Sequence, residues 1–411
     1  MKINKHCFPN GLRLVHYEDT STQMVALNIV YDVGARDEHP EHTGFAHLFE
    51  YLMFGGSAHI PDYDTPLQLA GGENNAWTNN DITNYYLTVP KPNIETAFWL
   101  ESDRMLELAF SEQSLEVQRG VVMEEFKQRC LNQPYGDVGH LFRPLAFRVH
   151  PYRWPTIGKE LSHIEQATLD EVKSFFYRFY APNNAVLAVT GNISWDETVK
   201  LTEKWFAPIP RRDVPVRQLP QEPEQTQERR LTVERNVPLD ALFMGYHMCS
   251  REGADYYAFD ILSDILSNGR SSRLNRRLVQ EQNIFSGIDA YISGTRDAGL
   301  LQISGKPAAG VSLEQAEAAV RKELEELQRS PVDGQELEKV KNKFESTQIF
   351  GNINYLNVAT NLAWFELTGK AEDIDLEVER YRSVTTEQLH TVAQRTFCES
   401  NAVVLYYKSD K

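Results

Sequence analysis

The feature that most constrains this chain is that it repeats itself. Displacing the sequence by 217 residues sets Thr168-Leu-Asp-Glu-Val over Thr385-Thr-Glu-Gln-Leu, Arg178 over Arg395 and Asn184-Ala-Val186 over Asn401-Ala-Val403. The same displacement sets Arg13-Leu14 over Arg230-Leu231 and Val25 over Leu242. One offset that works near both ends implies two copies of a single domain. Within the first copy, strand-like runs (11–17, 24–31, 71–78, 81–89, 185–190) alternate with helical periodicity (93–108, 114–130, 168–180). The expected class is α+β, two homologous domains, each an antiparallel-rich sheet with helices packed on one face. Residues 132–157 read as loop-rich.

Between the copies the texture changes. Residues 208–228 carry five prolines and almost no core residues, which reads as an extended linker. The expected division is 1–210, a linker at 211–228, and 229–411.

Composition narrows the function classes. A net charge of −16 argues against nucleic acid, whose phosphates require clustered Lys and Arg, and is compatible with a basic peptide partner. The apolar runs, such as Ala185-Val-Leu-Ala-Val189, are strand-length and too short to span a bilayer. No apolar region follows the first lysines, so the expected compartment is the cytoplasm, or the periplasm or an organelle if a targeting segment has been removed. Cys7, Cys130, Cys249 and Cys398 show no paired spacing, so neither a zinc ribbon nor a disulfide framework follows.

The chemistry sits in Thr43-Gly-Phe-Ala-His47-Leu-Phe-Glu50-Tyr51-Leu-Met-Phe-Gly-Gly56. Phe45, Leu48, Phe49 and Leu52 recur at helical spacing, and the paired glycines suit the end of the helix. His47 and Glu50 lie one turn apart, with position 51 on the same side. Histidine, glutamate and a second histidine at these three positions form the inverted zinc-peptidase signature. Here the last of the three is Tyr51.

Several further stretches match the same pattern: Pro9-Asn-Gly-Leu-Arg13, Val33-Gly34 with Glu38, Asn75-Ala-Trp-Thr78, Glu101-Ser-Asp-Arg-Met105, Val121-Val-Met-Glu-Glu125, and Tyr152-Arg-Trp154 with Gly158. On these residues the chain resembles the pitrilysin or insulinase family of inverted zinc metallopeptidases. The form it resembles is that of roughly 400 residues shared with mitochondrial processing peptidase subunits. The resemblance implies a bilobed half-chamber. It also makes His47 the first metal ligand, Glu50 the general base, Glu125 the third ligand and Tyr51 the occupant of the missing ligand position. Asn75, Ala76 and Trp77 match the edge strand that receives an extended peptide substrate. Two more positions depart from the family: Gln118 replaces a supporting glutamate, and Val279 and Ser286 replace an arginine–tyrosine pair in the second copy.

Zinc catalysis needs three ligands and an open fourth position that lowers the pKa of bound water to about 7. A phenol, with a pKa near 10, is a poor replacement for the second histidine. The leading expectation is a non-catalytic subunit of a two-chain zinc metallopeptidase, enclosing unfolded peptides with no cofactor of its own. Its partner would be a zinc-bearing homologous subunit in a heterodimer, or a second copy of itself. One alternative is an active zinc metalloendopeptidase with a variant metal site. The other is a metal-free peptide-binding scaffold.

Overall fold

The computed structural model describes residues 1–410, which form two sheets with helices packed around them. The first sheet contains β1 (Asn4–Cys7), β2 (Arg13–Glu18), β3 (Met24–Tyr31), β4 (Glu73–Thr78), β5 (Thr83–Pro90) and β6 (Ala185–Gly191), in the order β1-β2-β6-β3-β5-β4. The second contains β7 (Arg229–Arg235), β8 (Ala241–Met248), β9 (Phe285–Ile292), β10 (Gly299–Pro307) and β11 (Ala402–Ser409), in the order β7-β11-β8-β10-β9. All pairs are antiparallel except β2 with β6 and β7 with β11. This is the α+β class expected from the repeat, built twice. The parallel pair has the same place in each sheet because β6 and β11 both return to the sheet through a preceding helix.

The copies exchange a helix. On one face of the first sheet, Leu14, Leu27 and Leu187 pack with Phe49, Phe98 and Phe176. The opposite face, formed by Val15, Ala26, Val30, Val186 and Ala188, is covered by Val358, Ala359, Leu362 and Ala363 of the helix Tyr355–Thr368. In the second sheet the corresponding face, with Val403 and Leu405, is covered by Phe142 and Ala146 of the helix Val138–Ala146. A strand that is apolar on both faces must be covered on both, so helices on one face alone would leave each sheet half bare. The compact units are therefore discontinuous: 1–131, 154–220 and 349–376 in one, 132–153, 221–348 and residues from 377 onward in the other. That differs from a contiguous division at 1–210 and 229–411. The 132–157 stretch, expected to be loop-rich, holds the exchanged helix Val138–Ala146, with Pro144 inside it to weaken its helical pattern.

Residues 211–228 are extended, as their prolines require, but firmly tied. The Arg212 guanidinium donates to the carbonyls of Tyr180 (2.5 Å) and Leu106 (2.6 Å), and Arg217 donates to Asp37 (2.6 Å) and Asp32 (3.2 Å) in the first unit. In the second unit the Glu222 carboxylate accepts from the backbone of Arg148, Val149 and His150 (2.8–3.0 Å). Among the described residues no helix is long and apolar enough to cross a membrane.

One buried carboxylate makes the fold's pH response testable. Asp260, on the helix Tyr256–Ser267, accepts from the Tyr381 hydroxyl at 2.5 Å. Burial pushes its pKa up to about 6, partly offset by Tyr381 and reinforced by Asp264. Because the folded pKa lies above the unfolded one, this group's contribution favours the fold at low pH and is lost as pH rises through about 6. Asp260→Asn, which keeps the acceptor for Tyr381, should stabilise the chain at pH 8 by up to about 3 kcal/mol and have little effect near pH 4, read from denaturant melts at the two pH values.

Candidate functional site

The helix Phe45–Leu52 carries the signature, and its placement is over-determined. At its start Gly44 adopts φ 90°, where a Cβ would lie 2.8 Å from Ile164 Cδ1 and 3.0 Å from the Ile157 carbonyl. Only glycine fits there. The free N–H groups of the first turn are met by Glu38, which accepts from Gly44 and Ala46, each at 2.9 Å. Burial pushes the Glu38 pKa up to about 8, against those two hydrogen bonds. Farther along, the Tyr85 hydroxyl donates to the Phe49 carbonyl at 3.0 Å. The turn beyond the helix is held by Asp103, which accepts from Ser57 Oγ (2.5 Å) and the His59 backbone (2.9 Å). Next to it the buried Arg104 pairs with Glu101 and stacks on Phe54, Tyr63 and Tyr85.

A second helix, Glu112–Phe126, brings Glu125 to the first and continues as a π-helical turn over Lys127–Leu131. The Tyr51 hydroxyl donates to Glu125 Oε2 at 2.6 Å. Arg129 Nη2 lies 2.8 Å from Glu125 Oε1, and His47 Nε2 lies 3.4 Å from Oε2. The His47 and Tyr51 rings meet edge to face, with centroids 5.4 Å apart. His47 is only 7% exposed, and its Nδ1 has no hydrogen-bond partner. Burial lowers the His47 pKa; Glu125 works against the shift and Arg129 with it. Glu50 lies against Thr78 of β4, and burial raises its carboxyl pKa.

These residues do not fit zinc. The position that should offer a second imidazole offers a phenol whose pKa is driven up, first by burial and then by its bond to Glu125. Its proton is committed to the very carboxylate that would be the third ligand. Among the described residues no group of three or more His, Cys, Asp or Glu side chains is arranged to hold a metal ion.

Of the residues singled out in the sequence, His47, Tyr51 and Glu125 come into direct contact, with Glu50 beside Thr78. Gln118 lies alongside Gly55. Val279 is half-buried against the second unit's core, and Ser286 donates to the Lys306 carbonyl at 3.1 Å. Asn75, Ala76 and Trp77 lie on β4, the outermost strand of its sheet. The Ala76 N–H turns away from β5 and donates to the Asn75 side chain at 2.8 Å, while Trp77 packs against the exchanged helix's cluster. Arg129 was missed in the sequence. Its position four residues after Glu125, on the same helical side, is the signal that locates it.

Residues 13–137 match the model of the insulinase family, peptidase family M16, and residues 166–344 match that of the peptidase M16 inactive domain. The chain belongs to the M16 peptidase family. It is similar to the zinc protease PqqE of Helicobacter pylori, at 26% identity over 405 residues, covering 97% of this chain and 91% of that protein. The solved structure of a protease from Helicobacter pylori superposes with a TM-score of 0.93 at 25% identity, over 99% of each chain. A peptidase M16 inactive domain from Pseudomonas fluorescens shares the fold, with a TM-score of 0.90 at 16% identity over 100% of this chain and 99% of that one.

Tyr51→Phe tests the bond at the centre of the site. Removing the hydroxyl leaves the partly buried Glu125 with one donor fewer, so denaturant melts should show a loss of about 1–2 kcal/mol.

Proposed function

We propose that this chain is a non-catalytic subunit of a two-chain zinc metallopeptidase, holding extended peptides for a homologous partner that carries the metal. The observation that carries this reading is the hydrogen bond from Tyr51 to Glu125, which fills the missing ligand position and occupies the third ligand. The residues that hold the Phe45–Leu52 helix are in place, from the Glu38 cap to the Arg104 stack. A chain that had lost every role in the chamber would have no need to keep the helix so firmly placed. The partner is expected to be an M16 homologue with all three ligands.

The peptide is expected to add to the free edge of β4, where strand pairing supplies affinity through backbone hydrogen bonds. The Asn75 side chain caps the Ala76 N–H and shields that edge until a peptide displaces it.

Two experiments test the reading. Co-expression with zinc-bearing M16 homologues should give a heterodimer by sizing, in which zinc is half-stoichiometric and peptide cleavage survives Glu50→Gln in this chain. Stoichiometric zinc in this chain alone, with cleavage abolished by Glu50→Gln, would sink it in favour of an active peptidase with a variant site. Separately, Ala76→Pro removes an edge N–H without disturbing the β5 pairing. It should weaken binding of a fluorescent extended peptide at least tenfold while leaving the melting temperature within about 2 °C.

A further inference from the structure

Glu125 is a partly buried carboxylate, its side chain 14% exposed, and its charge must be met on the spot. In a metal site the cation would do that. Here the two oxygens are shared between two donors, the Tyr51 hydroxyl on Oε2 and the Arg129 guanidinium on Oε1. Arg129 arrives from the solvent side: its side chain is 67% exposed, so it compensates Glu125 without losing its own hydration. It is placed there by the π-helical turn Lys127–Leu131, which follows directly on the helix bearing Glu125.

We propose that Arg129 stands in for the charge of a metal ion, making a second barrier to divalent cations that is independent of Tyr51. The inference rests on the metal-free reading of the site and adds to it. The lost imidazole removes one bond to a metal, whereas Arg129 sets a fixed positive charge on the carboxylate that a metal would need. Restoring the ligand set with Tyr51→His therefore leaves the charge in place. Repulsion of a dication is twice that of a monovalent ion, and water around the exposed guanidinium screens it to an effect of about tenfold in affinity.

The test uses the full chain and zinc itself. Zinc affinity is measured by competition with a chromophoric chelator for the wild type, Arg129→Gln, Tyr51→His, and Tyr51→His combined with either Arg129→Gln or Arg129→Lys. Each protein is first melted without metal to show that it is folded. If Tyr51→His fails to fold, Tyr51→Asp supplies the third ligand in its place.

Wild type and Arg129→Gln should take up no zinc at micromolar concentration. Tyr51→His should bind weakly, and adding Arg129→Gln should tighten binding about tenfold. Adding Arg129→Lys, which keeps the charge, should leave the affinity within about twofold of Tyr51→His alone. Equal affinity of Tyr51→His with and without Arg129→Gln, or a lysine variant that behaves like the glutamine one, overturns the role of Arg129. Failure of every double variant to bind zinc also overturns it, because some other feature must then exclude the metal. Stoichiometric zinc in the wild type would instead overturn the metal-free reading itself.

Discussion

The hydrogen bond from the Tyr51 hydroxyl to Glu125 governs everything else at the site. It joins two helices through residues 74 apart in the chain, and it does so with a neutral donor where the family's chemistry calls for a metal and a second imidazole. A phenol bonded to a carboxylate is harder to ionise than a free one, because loss of its proton would leave two adjacent anions. The bond therefore reinforces itself: the better it is made, the less Tyr51 can act as a ligand. Arg129 completes the arrangement by neutralising the acceptor from its other side. The result is a site in which both oxygens of Glu125 are engaged, beside an imidazole, His47, whose Nδ1 has no partner.

Around this centre the frame that positions the Phe45–Leu52 helix is complete. Glu38 caps the first turn, Asp103 fixes the turn beyond the last, and Arg104 spans three aromatic rings beneath it. Such buried polar and ionisable groups are costly unless every partner is in place, so they mark positions where geometry is closely specified. Their presence separates two kinds of family motif in this chain. The residues at 38, 101, 103 and 104 hold the helix, whereas those at 47, 50, 51 and 125 are the signature positions. Within that second group the departure is Tyr51.

The exchange of helices between the two copies gives the architecture its cohesion. Each sheet has a face that only the other copy's helix covers, Tyr355–Thr368 on the first and Val138–Ala146 on the second. Neither half of the chain can bury both faces of its own sheet. Removing apolar area from water is the main force behind folding, so each copy depends on the other for part of its stability. In the proline-rich segment Arg217 bonds within the first unit and Glu222 within the second, so the segment is ordered on each side of the boundary.

The sequence by itself determined the repeat, most of the strands and helices of each copy, and the spacing of His47, Glu50, Tyr51 and Glu125. All of these follow from local periodicity or from counting along the chain. It also showed that an imidazole is absent from position 51, since identity is fixed by the sequence alone. Only the tertiary structure decided what replaces it. That Tyr51 donates to Glu125, that Arg129 occupies the other oxygen and that Asn75 caps its own strand edge are facts about distance, set by how helices and strands pack. The helix Val138–Ala146 lay hidden for the same reason. Its proline weakens the local pattern, and it is stabilised by a sheet remote in sequence, an interaction that no window along the chain contains.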